Sequence, residues 1–400
     1  MHTVNVSGSL SSARVVVGVV ICLLLFIPLN FTVGQISGKP LDIVPADLLL
    51  LMFFPFVLVF QRIEARVYSG YAWIIFLYFT ACLVGVFLSV AFSDGGAASV
   101  ASFLRPSRTF FLFFSGVCFF LICGERSERI FSFSAALVAL LIFLSDVFFN
   151  PMFPSPRWGG YLGGMEVYGF PNSPGFLYVI FFSLIMVLLK HNKIYFFVAG
   201  VSALTIILLS SRNSMISLFL LVMALSYFRV VKLWLVVLSV VAITIFLADA
   251  GLNLNLLSSK FDRTLSDGVL YGRDYVWQDV LGLALDRPIF GYGFEPLSFN
   301  YSKHDTAHNQ YIEYFYKSGL VGFLLVSALW GYVIYIYNKA RVASDGFVRD
   351  FYAAIFSVIV VALFSNIAQP NFSYTITQGV FVFVAGISSC RLFYKPRLRN

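Results

Sequence analysis

The chain has 400 residues, of which 60% are hydrophobic and only 12% are charged. Because an ordinary soluble domain carries about 25% charged residues, this composition excludes a soluble fold. The net charge of +8 could indicate a nucleic-acid partner. The basic residues, however, lie in short segments between apolar runs, which favours a protein embedded in a lipid bilayer.

Repeated apolar runs of about 17 to 22 residues predict helices that cross a ~30 Å hydrocarbon core. We therefore predict an all-α polytopic membrane protein with about twelve transmembrane helices. The predicted spans are residues 15–34, 41–60, 70–92, 109–123, 130–148, 172–190, 194–210, 213–228, 231–249, 310–337, 350–368 and 372–390.

Charge is distributed unequally between the two sides that these spans define. The side with both termini carries most of the basic residues and few acidic ones, so the positive-inside rule predicts that both termini are cytoplasmic. The first apolar run lacks a cleavage site of small residues, and we expect it to be the first span rather than a signal peptide.

The chain order predicts three parts: nine helices in residues 1–249, a large outward loop in 250–307, and three helices with a basic tail in 308–400. Within the loop, a stripe of apolar residues predicts a short amphipathic helix that ends before Pro288. The stripe consists of Trp277, Val280, Leu281 and Ala284, and Arg273 lies one turn before it. Long loops on a short-looped bundle often carry function.

Arg212 lies in the polar segment SSRNS, which separates two apolar runs at the outward membrane surface. Ser210 or Ser211 is a plausible N-cap of the eighth span, which places Arg212 in the first turn of that helix. A cation there opposes the helix dipole, so its position favours a bound anion such as phosphate. The alternative is an arginine that only anchors the helix at the interface.

The segment HNQYIEYFYKSGLVG begins with His308. If it is helical, His308 shares one face with Gly319 and Gly322, which we expect to allow close approach of another helix. At the outer mouth of such a helix pair, an imidazole can accept a proton from a sugar hydroxyl near neutral pH. The alternative is a histidine with a purely structural role.

Metal chemistry is not favoured by these motifs. The sequence HDTAH, which ends at His308, differs from the HExxH zinc signature because Asp305 replaces the glutamate and no third ligand follows. The outward acidic residues are dispersed rather than paired. We therefore expect no metal and no cofactor.

Taken together, these motifs resemble the O-antigen ligase and polymerase family, membrane glycosyltransferases that use undecaprenyl-diphosphate-linked glycans. The resemblance depends on the histidine motif, SSRNS, the run GRDYVW…DRPIFGYG in residues 272–293, and GFPNSPG before the sixth span. The histidine motif is more similar to the ligase branch. The resemblance implies a GT-C-like fold in the bacterial inner membrane, with a periplasmic active site.

For the reaction, the resemblance implies metal-independent transfer of a glycan from undecaprenyl diphosphate to a sugar hydroxyl of lipid A-core, with inversion. His308 would activate the acceptor, and Arg212 and Arg273 would hold the diphosphate. Lower-ranked candidates for substrate binding are Asn309, Arg105 and Arg108, and the two arginines have an equal alternative as interfacial anchors. The competing functions are a repeat-unit polymerase of the same family and a flippase or other transporter.

Overall fold

A computed structural model describes residues 12–27, 31–36, 39–52, 65–92, 108–149, 161–162, 165–166, 172–209, 212–232, 273–293, 297, 307–367 and 375–394. Most of these residues are helical. The α-helices are α1 (Ser12–Phe26), α2 (Ser69–Phe92), α3 (Leu112–Cys123), α4 (Ser127–Phe149), α5 (Asn172–His191), α6 (Phe196–Leu208), α7 (Arg212–Tyr227), α8 (Arg273–Asp286), α9 (Gln310–Val342), α10 (Gly346–Ser365) and α11 (Thr375–Phe393).

Several helices have the length and composition of membrane spans. Five candidates meet both criteria within the described ranges: Ser69–Leu88, Arg108–Phe149, Gln310–Val342, Gly346–Ser365 and Ile376–Phe393. Shorter apolar helices accompany them at Ser12–Phe26, Gly175–His191, Lys193–Ile207 and Asn213–Tyr227. The chain is therefore a helical, multi-pass membrane protein, as the composition predicted, while the number of twelve spans and the position of the long loop stay predictions.

The 42-residue candidate Arg108–Phe149 contains two of the predicted spans. Helix α3 ends at Cys123, Gly124 has a positive φ of 55°, and a 3₁₀ turn leads into α4 at Ser127. This break falls between the predicted spans 109–123 and 130–148.

Two short hairpins and a 3₁₀ helix were not predicted. Strand β1 (Phe31–Ile36) pairs antiparallel with β2 (Lys39–Ile43), and β3 (Tyr161–Leu162) pairs with β4 (Met165–Glu166). The predicted second span therefore begins as a strand, and the 3₁₀ helix Pro45–Met52 follows it. Residues 233–249 of the predicted ninth span lie outside the described ranges.

Helices α3 and α11 pack closely because both present glycine at their contact. A Cβ atom on Gly116 would lie 1.9 Å from the carbonyl oxygen of Phe383, and one on Gly386 would lie 2.1 Å from that of Phe113. Small residues let the two backbones approach, as is common between membrane helices.

One end of the bundle is held by ion pairs between distant segments. Arg391 at the end of α11 binds Glu128 at the start of α4, with 2.7 Å between Nη2 and Oε2. Lys190 at the end of α5 binds Asp350, the fifth residue of α10, at 2.7 Å. All four residues belong to the side that the charge distribution assigns to the cytoplasm. The contacts agree with that grouping, and the orientation of this end in the membrane stays a prediction.

Candidate functional site

His308 lies immediately before helix α9 rather than inside it. Asn309 is the N-cap, because its Oδ1 accepts hydrogen bonds from the backbone N–H groups of Tyr311 (3.0 Å) and Ile312 (3.2 Å). His308 has a φ of +52° and is half-buried. The prediction that His308 shares a helical face with Gly319 and Gly322 is therefore wrong. Asn309 is the N-cap and has a non-helical backbone, so the helix begins at Gln310.

Gly319 breaks α9, and the segment that approaches it is a turn rather than the predicted helix. Its φ of 60° and ψ of −166° are non-helical. Residues 287–293 enter this break: Leu320 N–H donates to Pro288 O at 2.8 Å, and Tyr292 N–H donates to Tyr316 O at 2.9 Å. A Cβ on Gly319 would lie 2.3 Å from the carbonyl of Ile289, so the turn fits because position 319 is glycine.

Gly322 has a different role from the predicted contact with another helix. A Cβ atom there would meet the side chain of Ser318 at 2.2 Å, within the same helix. Glycine at position 322 therefore leaves room for the side chain of Ser318, the last residue before the break at Gly319. The turn itself also reaches α2, where a Cβ on Gly293 would lie 2.2 Å from the carbonyl oxygen of Gly85.

Helix α8 matches the predicted amphipathic helix and packs against the start of α9. Its buried stripe is Val276, Val280 and Ala284, whereas the predicted member Leu281 is 38% exposed. Trp277 donates from Nε1 to the carbonyl oxygen of Ala307 at 2.9 Å. This bond places the start of α8, and with it Arg273, near His308.

The start of α7 joins the same region through the end of α10. Asn213 donates from Nδ2 to Ser365 Oγ at 2.8 Å, and Ser365 Oγ donates back to Asn213 Oδ1 at 3.0 Å. One residue further, the carbonyl oxygen of Asn366 accepts from Gln310 N–H at 3.0 Å. Arg212 is the first residue of α7 and directly precedes Asn213. The start of α7 is therefore linked to the start of α9, next to His308, through Ser365 and Asn366 at the end of α10.

The site consequently combines three helix N-termini with two arginines and one histidine. Helices α7, α8 and α9 begin at Arg212, Arg273 and Gln310. The helix dipole gives each of these helix starts a partial positive charge, which favours a bound anion. At α9 the first four N–H groups already donate to Asn309 and Asn366, so this helix contributes its dipole and not free N–H groups. The arrangement suits an anionic group placed next to an imidazole.

Arg108, another of the candidate arginines, pairs with an acidic residue of a different segment. Arg108 forms an ion pair with Asp47 at 2.8 Å, and both side chains are mostly buried (18% and 15% exposed). Asp47 Oδ2 also accepts from Val44 N–H at 2.8 Å, so the pair joins the 3₁₀ helix Pro45–Met52 to the start of the α3 segment. Arg105 lies outside the described residues.

Sequence reasoning did not identify the polar residues that connect these helix ends. Asn213, Ser365 and Asn366 carry no recognisable spacing, since 152 residues separate the two bonded side chains. Glu313, whose Oε1 accepts from Ala307 N–H at 3.2 Å, was also missed. The asparagine before an apolar periodic run is a known N-cap signal, and it could have indicated that α9 starts after His308.

The fold and this site define a multi-pass helical membrane protein with a cationic polar site at one end. A family model described as O-antigen ligase matches residues 196–327, about a third of the chain. The matched segment runs from α6 into α9 and contains Arg212, Arg273 and His308, and it confirms the predicted relationship to the O-antigen ligase and polymerase family. A search of curated proteins gave no match.

Proposed function

We propose that the chain is an O-antigen ligase, which transfers a glycan from undecaprenyl diphosphate to a sugar hydroxyl of lipid A-core. The observation that carries this proposal is that hydrogen bonds link the starts of α7 and α8, which begin at Arg212 and Arg273, to the backbone on either side of His308. Two guanidinium groups suit a diphosphate, and an imidazole suits a hydroxyl nucleophile. The family match supports the class of donor.

In the proposed reaction, the acceptor hydroxyl oxygen attacks the anomeric carbon while the bond from that carbon to the diphosphate oxygen breaks. The configuration at the carbon inverts. His308 accepts the hydroxyl proton, or positions the hydroxyl for attack. Arg212 and Arg273, with the N-termini of α7 and α8, stabilise the negative charge that develops on the leaving diphosphate. We propose that this charge stabilisation takes the place of a metal ion.

Asn309 contributes to this proposal through the backbone. Its Oδ1 already accepts hydrogen bonds from two backbone N–H groups, so the side chain of Asn309 serves as the N-cap of α9. That role favours the orientation of His308 over direct binding of the acceptor, the other predicted role of Asn309.

The proposed location is the periplasmic face of a bacterial inner membrane. The ion-paired end of the bundle, where Arg391 and Lys190 lie, carries the basic residues that the positive-inside rule assigns to the cytoplasm. Helix α10 runs from Asp350 at the ion-paired end to Ser365, and the residues at its far end bind the starts of α7 and α9. A periplasmic site is also where a glycan on its lipid carrier and lipid A-core can meet.

Reconstitution tests the proposal directly. Purified protein in nanodiscs would be incubated with glycan-linked undecaprenyl diphosphate and lipid A-core in the presence of EDTA, and glycosylated lipid A would be measured by gel mobility and mass spectrometry. We expect transfer at an undiminished rate with chelator. Absence of transfer by the wild-type protein would contradict the proposal, and a requirement for added Mg²⁺ would contradict its metal-independent part.

A polymerase of the same family is the second candidate, because the family match covers the proposed donor site and identifies no acceptor. A deletion strain separates the two functions. A ligase predicts that polymer still accumulates on the carrier lipid and is missing from lipid A. A polymerase predicts lipid A capped with single repeat units.

A further inference from the structure

His308 holds a backbone conformation that residues with a side chain rarely adopt. Among the non-glycine residues that the structure describes, Arg229 (φ 57°) and His308 (φ 52°) have positive φ. Arg229 has an ordinary reason: it follows α7, and the bonds Val230 N–H to Leu225 O and Arg229 N–H to Ser226 O form a Schellman helix end. His308 instead precedes an N-cap, so its conformation requires another explanation.

The peptide groups of Ala307 supply that explanation. The Ala307 N–H donates to Glu313 Oε1 at 3.2 Å, and the Ala307 carbonyl oxygen accepts from Trp277 Nε1 at 2.9 Å. Ala307 is fully buried among apolar residues of α8 and α9, where an unsatisfied peptide group would be costly. With Asn309 fixed as the N-cap on the other side, the backbone is held both before and after His308.

Glu313 has two separable contacts. Its side chain is only 9% exposed, and while Oε1 binds the Ala307 N–H, Oε2 lies 3.5 Å from Lys317 Nζ one turn further along α9. The first contact acts on the backbone beside His308. The second only pairs the charge. Variants can therefore remove the charge pair while the backbone contact stays.

We propose that Glu313 and Trp277 are positioning residues for His308: by holding the Ala307 peptide they impose the left-handed backbone that sets where the imidazole lies. Trp277 belongs to α8, one turn after Arg273, so the same contact couples the position of the cationic helix start to that of the histidine. This inference rests on the proposed role of His308 in acceptor activation.

Kinetics of four variants test the proposal. Glu313→Leu removes both contacts, Glu313→Gln keeps an oxygen that can accept the Ala307 N–H, Lys317→Gln removes the ion pair alone, and Trp277→Phe removes the indole donor. Since a misplacement of about 1 Å can cost up to 10²-fold in rate, we expect kcat to fall at least tenfold in Glu313→Leu and about fivefold in Trp277→Phe. The donor KM should stay within about twofold, because the donor contacts are not removed. Glu313→Gln and Lys317→Gln should stay near the wild-type kcat.

A second readout does not depend on transfer activity. The rate of carbethoxylation of His308 by diethyl pyrocarbonate would be followed by peptide mass spectrometry in the same folded proteins, with His191 as the internal reference. We expect a severalfold change at His308 in Glu313→Leu and Trp277→Phe, and none in Glu313→Gln or Lys317→Gln. A wild-type protein without transfer activity would contradict the proposed function and still leave this pattern measurable.

Three results would overturn the positioning role. One is an unchanged His308 reactivity in both Glu313→Leu and Trp277→Phe. Another is a Glu313→Gln variant as impaired as Glu313→Leu, which would mean that the charge and not the backbone contact matters. The third is a changed His308 reactivity with an unchanged kcat. Trp277→Phe keeps the test valid if Glu313→Leu fails to fold.

Discussion

Charged residues are placed differently at the two ends of the helix bundle. At the ion-paired end, every oxygen of the buried Glu128 carboxylate is used: Oε1 accepts from Tyr352 and from Arg391 Nε, and Oε2 accepts from Arg391 Nη2. Asp350, also buried, binds Lys190. Each buried acid there is neutralised by a base of the same chain, as folding requires of a buried charge.

At the other end, two arginines lie where the helix dipole disfavours a positive charge. Arg212 and Arg273 each occupy the first residue of a helix, where the dipole already carries a partial positive charge. A third helix start, at Asn309, is linked to the other two by hydrogen bonds of the neighbouring residues. Paired charges stabilise the fold, whereas a cation at a helix start, where the dipole is already positive, favours a nearby anion. The comparison thus separates a structural end from the proposed binding end.

We expect the largest effect on the rate of glycan transfer, and only for a change at the end that contains His308. His308→Ala should lower the rate by about 10²–10⁴-fold, the usual contribution of a general base. The matched change is His191→Ala at the ion-paired end, where Asp350 keeps its lysine partner, and it should leave the rate within about twofold. The nanodisc assay measures both. If His308→Ala and His191→Ala lowered the transfer rate equally, the two ends would not differ in their importance for transfer.

The next effect is on stability and belongs to the ion-paired end. Arg391→Gln leaves Glu128 buried with the hydroxyl groups of Tyr352 and Ser127 as remaining hydrogen-bond donors and no cation, and losing one member of a buried pair costs about 3–5 kcal/mol. Thermal unfolding in detergent should show this loss, while the transfer rate per folded molecule stays unchanged. Arg349→Gln is the control, since Arg349 is 52% exposed and 3.7 Å from Asp350. A reduced specific rate in Arg391→Gln would show that this end also acts in transfer.

A third change tests the break in α9 that carries the binding end. Gly319 lies in a backbone region that is essentially restricted to glycine, so Gly319→Ala should cost on the order of 3 kcal/mol, with further loss from the contact with Ile289. Gly331→Ala is matched within the same helix, because a Cβ there meets nothing within 4 Å, and it should stabilise by about 0.5–1 kcal/mol. Unfolding midpoints of the two variants would coincide if the break were not required.

The sequence predicted the ion-paired end better than the binding end, for physical reasons. Apolar run lengths and loop charges depend on the bilayer and are local properties of the chain, so they grouped Glu128, Asp350 and Arg391 on one side before any contact was known. The contacts between these segments agree with that grouping. The helix predicted before Pro288 is present as Arg273–Asp286, because helix-forming composition is also local, although its buried face includes Val276 rather than the predicted Leu281.

The binding end depends on contacts that no local pattern encodes. The helical period through residues 308–322 was interrupted by the turn 287–293, which enters the helix from outside. The backbone at His308 depends on Trp277, thirty positions earlier. Glycine at position 319 was recognised as a close-approach residue, and only the tertiary structure identified a turn as the approaching segment.

The smallest expected effect addresses what the arginines at the binding end provide. Arg212→Lys keeps the positive charge at the start of α7 and removes the planar fork that can bind two phosphate oxygens. If the site holds a diphosphate, the loss of one charge-assisted hydrogen bond should lower transfer about tenfold. Arg349→Lys, the same substitution at an exposed position of the ion-paired end, should have no effect. If Arg212→Lys were as active as Arg349→Lys, Arg212 would only anchor its helix at the interface, and the anion would have to be held by Arg273 and the helix starts.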